Sequence, residues 1–89
     1  MRKKNKAVAL SYNLNKNRAP IVVASGYGEI ANRIIHIGEK QGIPIYQDEQ
    51  SASILCMLKL GQEIPVELYE LIANLYVELL NHAEIVTEK

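Results

Sequence analysis

The sequence predicts an α/β (α+β) domain: a small mixed sheet of three strands flanked by three helices. Three observations carry that expectation. Short apolar runs beginning at Ala7, Ile21 and Ile43 read as strands. Between and after them, apolar residues return every three or four positions, the repeat of a helix with one buried face. Pro20, Gly42, Pro44, Gly61 and Pro65 stand at the junctions, where the chain must turn. A chain of 89 residues makes a single domain. Its expected divisions are a basic N-terminal tail over 1–6, a folded unit over 7–82 and a C-terminal tail over 83–89.

The elements follow in order. Ala7–Tyr12 alternates small residues (Ala7, Ala9, Ser11) with large ones (Val8, Leu10, Tyr12), the period of a strand with one packed face. Asn13–Arg18 is rich in Asn, which bonds to nearby backbone and favours turns. Pro20 opens a second strand, Ile21–Ser25, whose continuous β-branched run suits burial on both faces. Strands joined by so short a turn are expected to pair antiparallel.

Gly26-Tyr27-Gly28 is expected to break the strand and start a helix from Glu29 to Gln41. Ile30, Ile34 and Ile37 share one side of it, while Glu29, Arg33, His36 and Lys40 share the other. Gly42 suits the position after its last turn. Ile43–Gln47 reads as a third strand, with Pro44 favouring a sheet edge or the start of pairing. The strand–helix–strand unit is expected to be right-handed, with Ile21–Ser25 and Ile43–Gln47 parallel. Asp48 or Ser51 can cap a second helix that reaches Lys59, and Gly61 ends it. One last helix is expected from Pro65 to His82. Leu68, Leu71, Ile72, Leu75 and Leu79 form its main stripe, and Tyr69, Ala73 and Tyr76 a flanking one.

Zero net charge conceals an asymmetry. Arg2, Lys3, Lys4, Lys6, Lys16 and Arg18 precede every acidic residue, and all ten acids follow. A solvated basic tail explains this; so does attraction to an anionic surface, either lipid head groups or an acidic partner. No recognisable motif points to nucleic acid. The single Cys56 excludes an internal disulfide and suits a reducing compartment. No apolar stretch reaches the roughly 18 residues of a membrane span, and the N-terminus lacks the apolar core of a signal peptide. The expected location is the cytoplasm, with a peripheral contact at the inner membrane face through the basic end.

Residues that could carry covalent chemistry are sparse. His36 and His82 lie on polar helix faces with no second ligand at metal-binding spacing, Cys56 reads as a small core residue, and no carboxylate pair sits in an apolar run. An enzyme, a metal site and a cofactor are therefore not expected. One motif argues otherwise. Gly26-x-Gly28-x-x-Ala31 follows a strand and opens a helix, and Asp48 ends the next strand, as in a dinucleotide-binding turn. A small nucleotide-binding regulator is therefore the alternative reading. A single crossover is short for such a fold, and the glycines also suit a tight strand-to-helix turn.

The ordered set Ala7-Val-Ala-Leu10, Ala19-Pro20, Ile21-Val-Val-Ala24, an Ile-rich helix, Gly42-Ile-Pro44 and Gly61-Gln-Glu-Ile-Pro-x-Glu-Leu-Tyr69 resembles the cytoplasmic domain of the FlhB/YscU/SpaS family. Those proteins serve flagellar and type III secretion export machines. The similarity runs from Ala7 to about Leu80, and the chain resembles free-standing FlhB-like proteins that lack the membrane half. The resemblance implies a non-enzymatic component or modulator of protein export. Its partners would be the export gate, the membrane half of FlhB, and export substrates.

Family members cut themselves at an Asn-Pro-Thr-His turn. Arg2, Lys3, Lys4 and Asn5 stand at those positions here, so the resemblance implies that self-cleavage is absent. Family members also supply, from upstream of the cut, a strand that pairs with the one matching Ala7–Tyr12. Ala7, Val8, Ala9 and Leu10 are accordingly expected to form an exposed edge that accepts such a strand from a partner. A shallow apolar patch that recognises early export substrates falls, matched residue by residue, on Ala19, Pro20, Ala73 and Tyr76. Tyr76 is larger than the aliphatic residue expected there.

Overall fold

Alternation at the start of the chain sends Val8 and Leu10 to one face of a sheet and Ala7 and Ala9 to the other; a computed structural model, which describes residues 5–89, places both sets against helices. The elements are β1 (Lys6–Ser11), β2 (Ile21–Tyr27), α1 (Glu29–Lys40), β3 (Ile45–Gln47), α2 (Glu49–Leu55), a single 3-10 turn over Val66–Leu68, α3 (Ala73–His82) and β4 (Glu84–Glu88). The strands form one sheet in the order β2-β1-β4-β3. The mixed α+β class expected from the sequence is the observed one.

Each face of the sheet has its own core. On one face, Ala7, Ala31 and Val86 form a thin apolar layer with Ala9, Ile34, Ile35, Ile43 and Ile45 packed around it. Small residues on β1 let α1 approach the sheet closely here. Gly38 serves the same contact, since a Cβ there would meet Val86 at 3.2 Å. On the other face, Val8, Leu10, Val22 and Ile85 pack with Leu55, Ile64, Ile72, Leu75 and Leu79 into the larger core.

The sheet corrects the expected strand count from three to four. Residues 84–88, read as part of a C-terminal tail, form β4, with Ile85 and Thr87 fully buried and Val86 nearly so. Glu84, Glu88 and Lys89 bracket a three-residue β-branched run, and that charged frame made a buried strand resemble a solvated end. β4 lies between β1, which it pairs antiparallel from Ser11↔Glu84 to Ala7↔Glu88, and β3, which it pairs parallel.

The residues Ala7, Val8, Ala9 and Leu10 are not an exposed edge, because β1 is flanked by β2 on one side and β4 on the other. The side of β1 that is not paired with β2 is occupied by β4. The edges are β2 and β3, and Pro44 does precede an edge strand. β2 and β3 run in the same direction but are separated by two strands, so α1 crosses over the whole sheet rather than joining neighbours.

The helices are shorter than their periodicity suggests. β2 runs through Gly26 to Tyr27 before α1 begins. α2 ends at Leu55, not Lys59, and Met57 and Leu60 beyond it are exposed. Asp48 is its cap, accepting hydrogen bonds from the Ser51 backbone N–H at 3.1 Å and the Ser51 hydroxyl at 2.9 Å. The helix expected from Pro65 to His82 is broken into the 3-10 turn and α3. Ile64 is held by its N–H donating to the Pro20 carbonyl, and both Ile64 and Ile72 are buried. A tight turn between them brings Leu68, Tyr69 and Leu71 against the core, which one straight helix would not do.

Candidate interaction surface

The four residues expected to form an apolar patch lie in two places. Ala19 and Pro20 lead into β2, and both are buried; the Pro20 carbonyl accepts a 2.8 Å hydrogen bond from Ile64. Ala73 opens α3 and is exposed, and Tyr76, one turn later, is half-buried. Ile64 beside Pro20 and Ile72, whose carbonyl accepts from the Tyr76 N–H at 2.8 Å, belong to one buried cluster. The Pro20 backbone is thus tied to Ile64, in the core that also holds Ile72 one residue before Ala73, and only Ala73 and Tyr76 of the four reach the surface.

Tyr76 is the centre of a group that the sequence signals only in part. Its ring meets Tyr12 edge-on, with centroids 5.5 Å apart, and meets Tyr69 at the same separation with the planes tilted by 56°. Such contacts add about 0.5–1.5 kcal/mol each beyond burial. The Tyr76 hydroxyl donates to the Tyr12 hydroxyl at 3.2 Å. That bond, with partial burial, pushes the Tyr76 phenol up to about 12. The sequence sets Tyr69 beside Tyr76 on one continuous helix, whereas in the structure Tyr69 follows the 3-10 turn and meets Tyr76 across the break before α3. Tyr12 reads only as a strand residue, and its pairing with a side chain 64 positions away has no local signal.

Tyr12 also joins this group to an open hollow of about 490 Å³, lined by Ser11, Leu14, Leu80, Ala83 and Glu84 among others. Leu14 is 69% exposed and Leu80 52% exposed, so the hollow has apolar rims. A smaller apolar hollow of about 120 Å³ lies under α1, between Ala9, Ala24, Ile34, Ile37, Ile43 and Val86. From β3, the Tyr46 hydroxyl donates to the carboxylate of Glu78 on α3, which lies 3.6 Å from His82 Nε2. The bond to Glu78, then burial, raises the Tyr46 phenol above its ordinary range. Cys56 sits half-buried near the Ala7 and Gly26 carbonyls, and burial raises its thiol as well.

The geometry does not support a nucleotide turn. Gly26 and Gly28 lie at the β2 edge, whereas Asp48 follows β3 at the opposite edge, roughly three strand spacings or about 14 Å away. The Asp48 carboxylate is engaged in capping α2. The Gly28 N–H, which such a turn would offer to a phosphate, donates instead to the Asn5 carbonyl at 2.9 Å. The glycines answer local demands: Gly28 has φ 58°, and a Cβ on Gly26 would lie 2.3 Å from Ile30 Cγ2. Of the positions matching the cleavage turn, Arg2, Lys3 and Lys4 lie outside the described residues, as does most of the basic tail. Among the described residues, no helix is long and apolar enough to cross a membrane.

The sequence profile of the FlhB HrpN YscU SpaS family matches residues 4–78. The chain is 39% identical over 71 residues to YlqH of Bacillus subtilis (strain 168), covering 80% of this chain and 76% of YlqH. It is 39% identical over 70 residues to the flagellar biosynthetic protein FlhB of Aquifex aeolicus, and 42% identical over 69 residues to that of Salmonella typhimurium. Those alignments cover 78% and 76% of this chain but only 20% and 18% of the two relatives. The chain thus spans about a fifth of the FlhB proteins it matches. The matched profile includes Ala19, Pro20, Ala73 and Tyr76 and stops short of β4.

Proposed function

Since the chain belongs to the FlhB HrpN YscU SpaS family, we propose that it is a component or modulator of flagellar or type III protein export, acting by docking without covalent chemistry of its own. About 40% identity to FlhB proteins across most of the chain carries this reading. The chain would work in the cytoplasm, against the export gate at the inner face of the membrane. The basic residues at its start would favour that anionic surface.

In this reading, export substrates meet Ala73 and the exposed part of Tyr76, while Ala19 and Pro20 hold the supporting core. Tyr69 and Tyr12 fix the Tyr76 ring, so the surface is preformed and its ordering cost is low. An apolar segment of a substrate would pack on the Ala73 side of the ring. The closed sheet leaves β1 no free side on which to pair with a partner strand, so recognition is through side chains.

Ala73→Asp tests the assignment, since Ala73 is exposed and a carboxylate in the first turn of α3 favours the helix dipole. Thermal unfolding is expected to be unchanged, and binding of an early flagellar export substrate, measured by calorimetric titration, is expected to weaken by at least about tenfold. Undiminished binding by the folded variant would remove these residues from the function.

A further inference from the structure

We propose that this chain exchanges β4 with a second copy of itself, so that Glu84–Glu88 of each copy completes the sheet of the other. The inference rests on how β4 is attached. It occupies the middle of the sheet, paired with β1 along five positions and with β3 along three. A single residue, Ala83, connects it to α3.

Ala83 has φ 67° and ψ −29°, and among the described residues it is the one non-glycine at positive φ; the other three such positions are Gly28, Gly42 and Gly61. An L-residue there brings its Cβ against the backbone, a strain that glycine avoids. The turn is held at both ends. The Ala83 N–H donates to the Leu79 carbonyl, and its carbonyl accepts from the Tyr12 N–H, each at 2.8 Å. A one-residue hinge under strain, followed by a central strand, is the arrangement that favours exchange.

In the exchanged dimer every β4 pairing is kept, with the same partners on the other copy. What differs is the hinge, which straightens into ordinary backbone, and the entropy of association. The occupant of the slot is fixed by the sequence itself: a second copy carries the same Ile85-Val86-Thr87 run that fits between β1 and β3. Room for the change exists, because Ala83 and Glu84 border the open hollow of about 490 Å³ rather than a packed core.

The test uses the full chain with Ala9→Cys and Val86→Cys in a Cys56→Ala background. Ala9 and Val86 face each other across β1 and β4. They fall midway between the pairs Tyr12–Ala83 and Lys6–Lys89, whose backbones are hydrogen-bonded, and so form a close non-bonded pair suited to a cross-strand disulfide. In a closed monomer the bond links one chain to itself; in the exchanged form it links two.

After incubation at about millimolar concentration and oxidation, a covalent dimer on a non-reducing gel is expected, its share rising with concentration. Ala83→Gly removes the strain from both hinges and is expected to lower the dimerisation constant by about twenty-five-fold, roughly fivefold per hinge, so that a given covalent-dimer share requires about twenty-five times the concentration. Bonds confined within single chains at every concentration would overturn the proposal, even if light scattering showed association. If the first pair perturbs folding, Ala7→Cys with Glu88→Cys, the next non-bonded pair, reads out the same two results.

Discussion

Thr87 shows at a single residue what this small fold tolerates. It is fully buried in the central strand, and its hydroxyl has no hydrogen-bond partner. An unsatisfied buried hydroxyl costs about 1–3 kcal/mol. Thr87→Val keeps the shape and removes the polar atom, so it is expected to stabilise the fold by about 1 kcal/mol, a rise of about 4–8 °C in Tm for a domain of this size. No change or a fall in calorimetric Tm would mean that the hydroxyl is satisfied in solution. Tyr76 sets a pH dependence. Its phenol is raised from 10.0 to about 12, so its neutral form is favoured on folding. The stabilisation is complete below the unfolded value and is lost as pH rises from 10 toward 12. Tyr76→Phe is therefore expected to flatten the decline of the urea midpoint across that window; an unchanged slope would contradict the assignment. The cap at Asp48 was legible, because an Asp before a helix bonds within its own turn. The Tyr12–Tyr76 bond and the orphan hydroxyl were not, because both depend on partners brought together by the whole fold.

Elements whose limits are set locally were read well, and those set by distant partners were not. The Ile spacing of α1 and the positive-φ Gly42 after it are local signals, and the helix ends where they place it. The apolar stripe from Leu68 to Leu79 fits a helix throughout, yet the chain breaks it to bury Ile64 and Ile72 together. β4 was hidden by its own charged flanks. The β2-to-α1 junction offers a test at this scale. A Cβ at Gly26 would lie 2.9 Å from the Ile30 Cβ as well as 2.3 Å from Cγ2, so rotating the Ile30 side chain cannot clear it. Gly26→Ala is expected to cost about 1–3 kcal/mol in urea denaturation, as overpacking does. Adding Ile30→Ala, at a position that is 58% exposed, should recover part of that loss. Equal stability of Gly26→Ala and the parent chain would contradict the close approach.

The molecule as a whole joins a region shared with its family to a strand lying beyond the matched residues. Residues 4–78 match the family profile, and β4 supplies the neighbour that β1 needs to leave the sheet edge. Sequence order and resemblance made the family legible, while sheet order, which depends on pairing between residues as distant as Ala7 and Glu88, was not. A sheet completed within one chain leaves β1 no open edge, and the proposed function accordingly assigns recognition to side chains around Ala73 and Tyr76. The proposed function requires that this domain dock on the export machinery. That docking is measured by titrating the purified full chain against detergent-solubilised flagellar export apparatus, with binding followed by light scattering. Saturable association that weakens as salt rises is predicted, because a basic N-terminus facing an anionic surface is screened by ions. Absence of association at high micromolar concentration and low salt would contradict it.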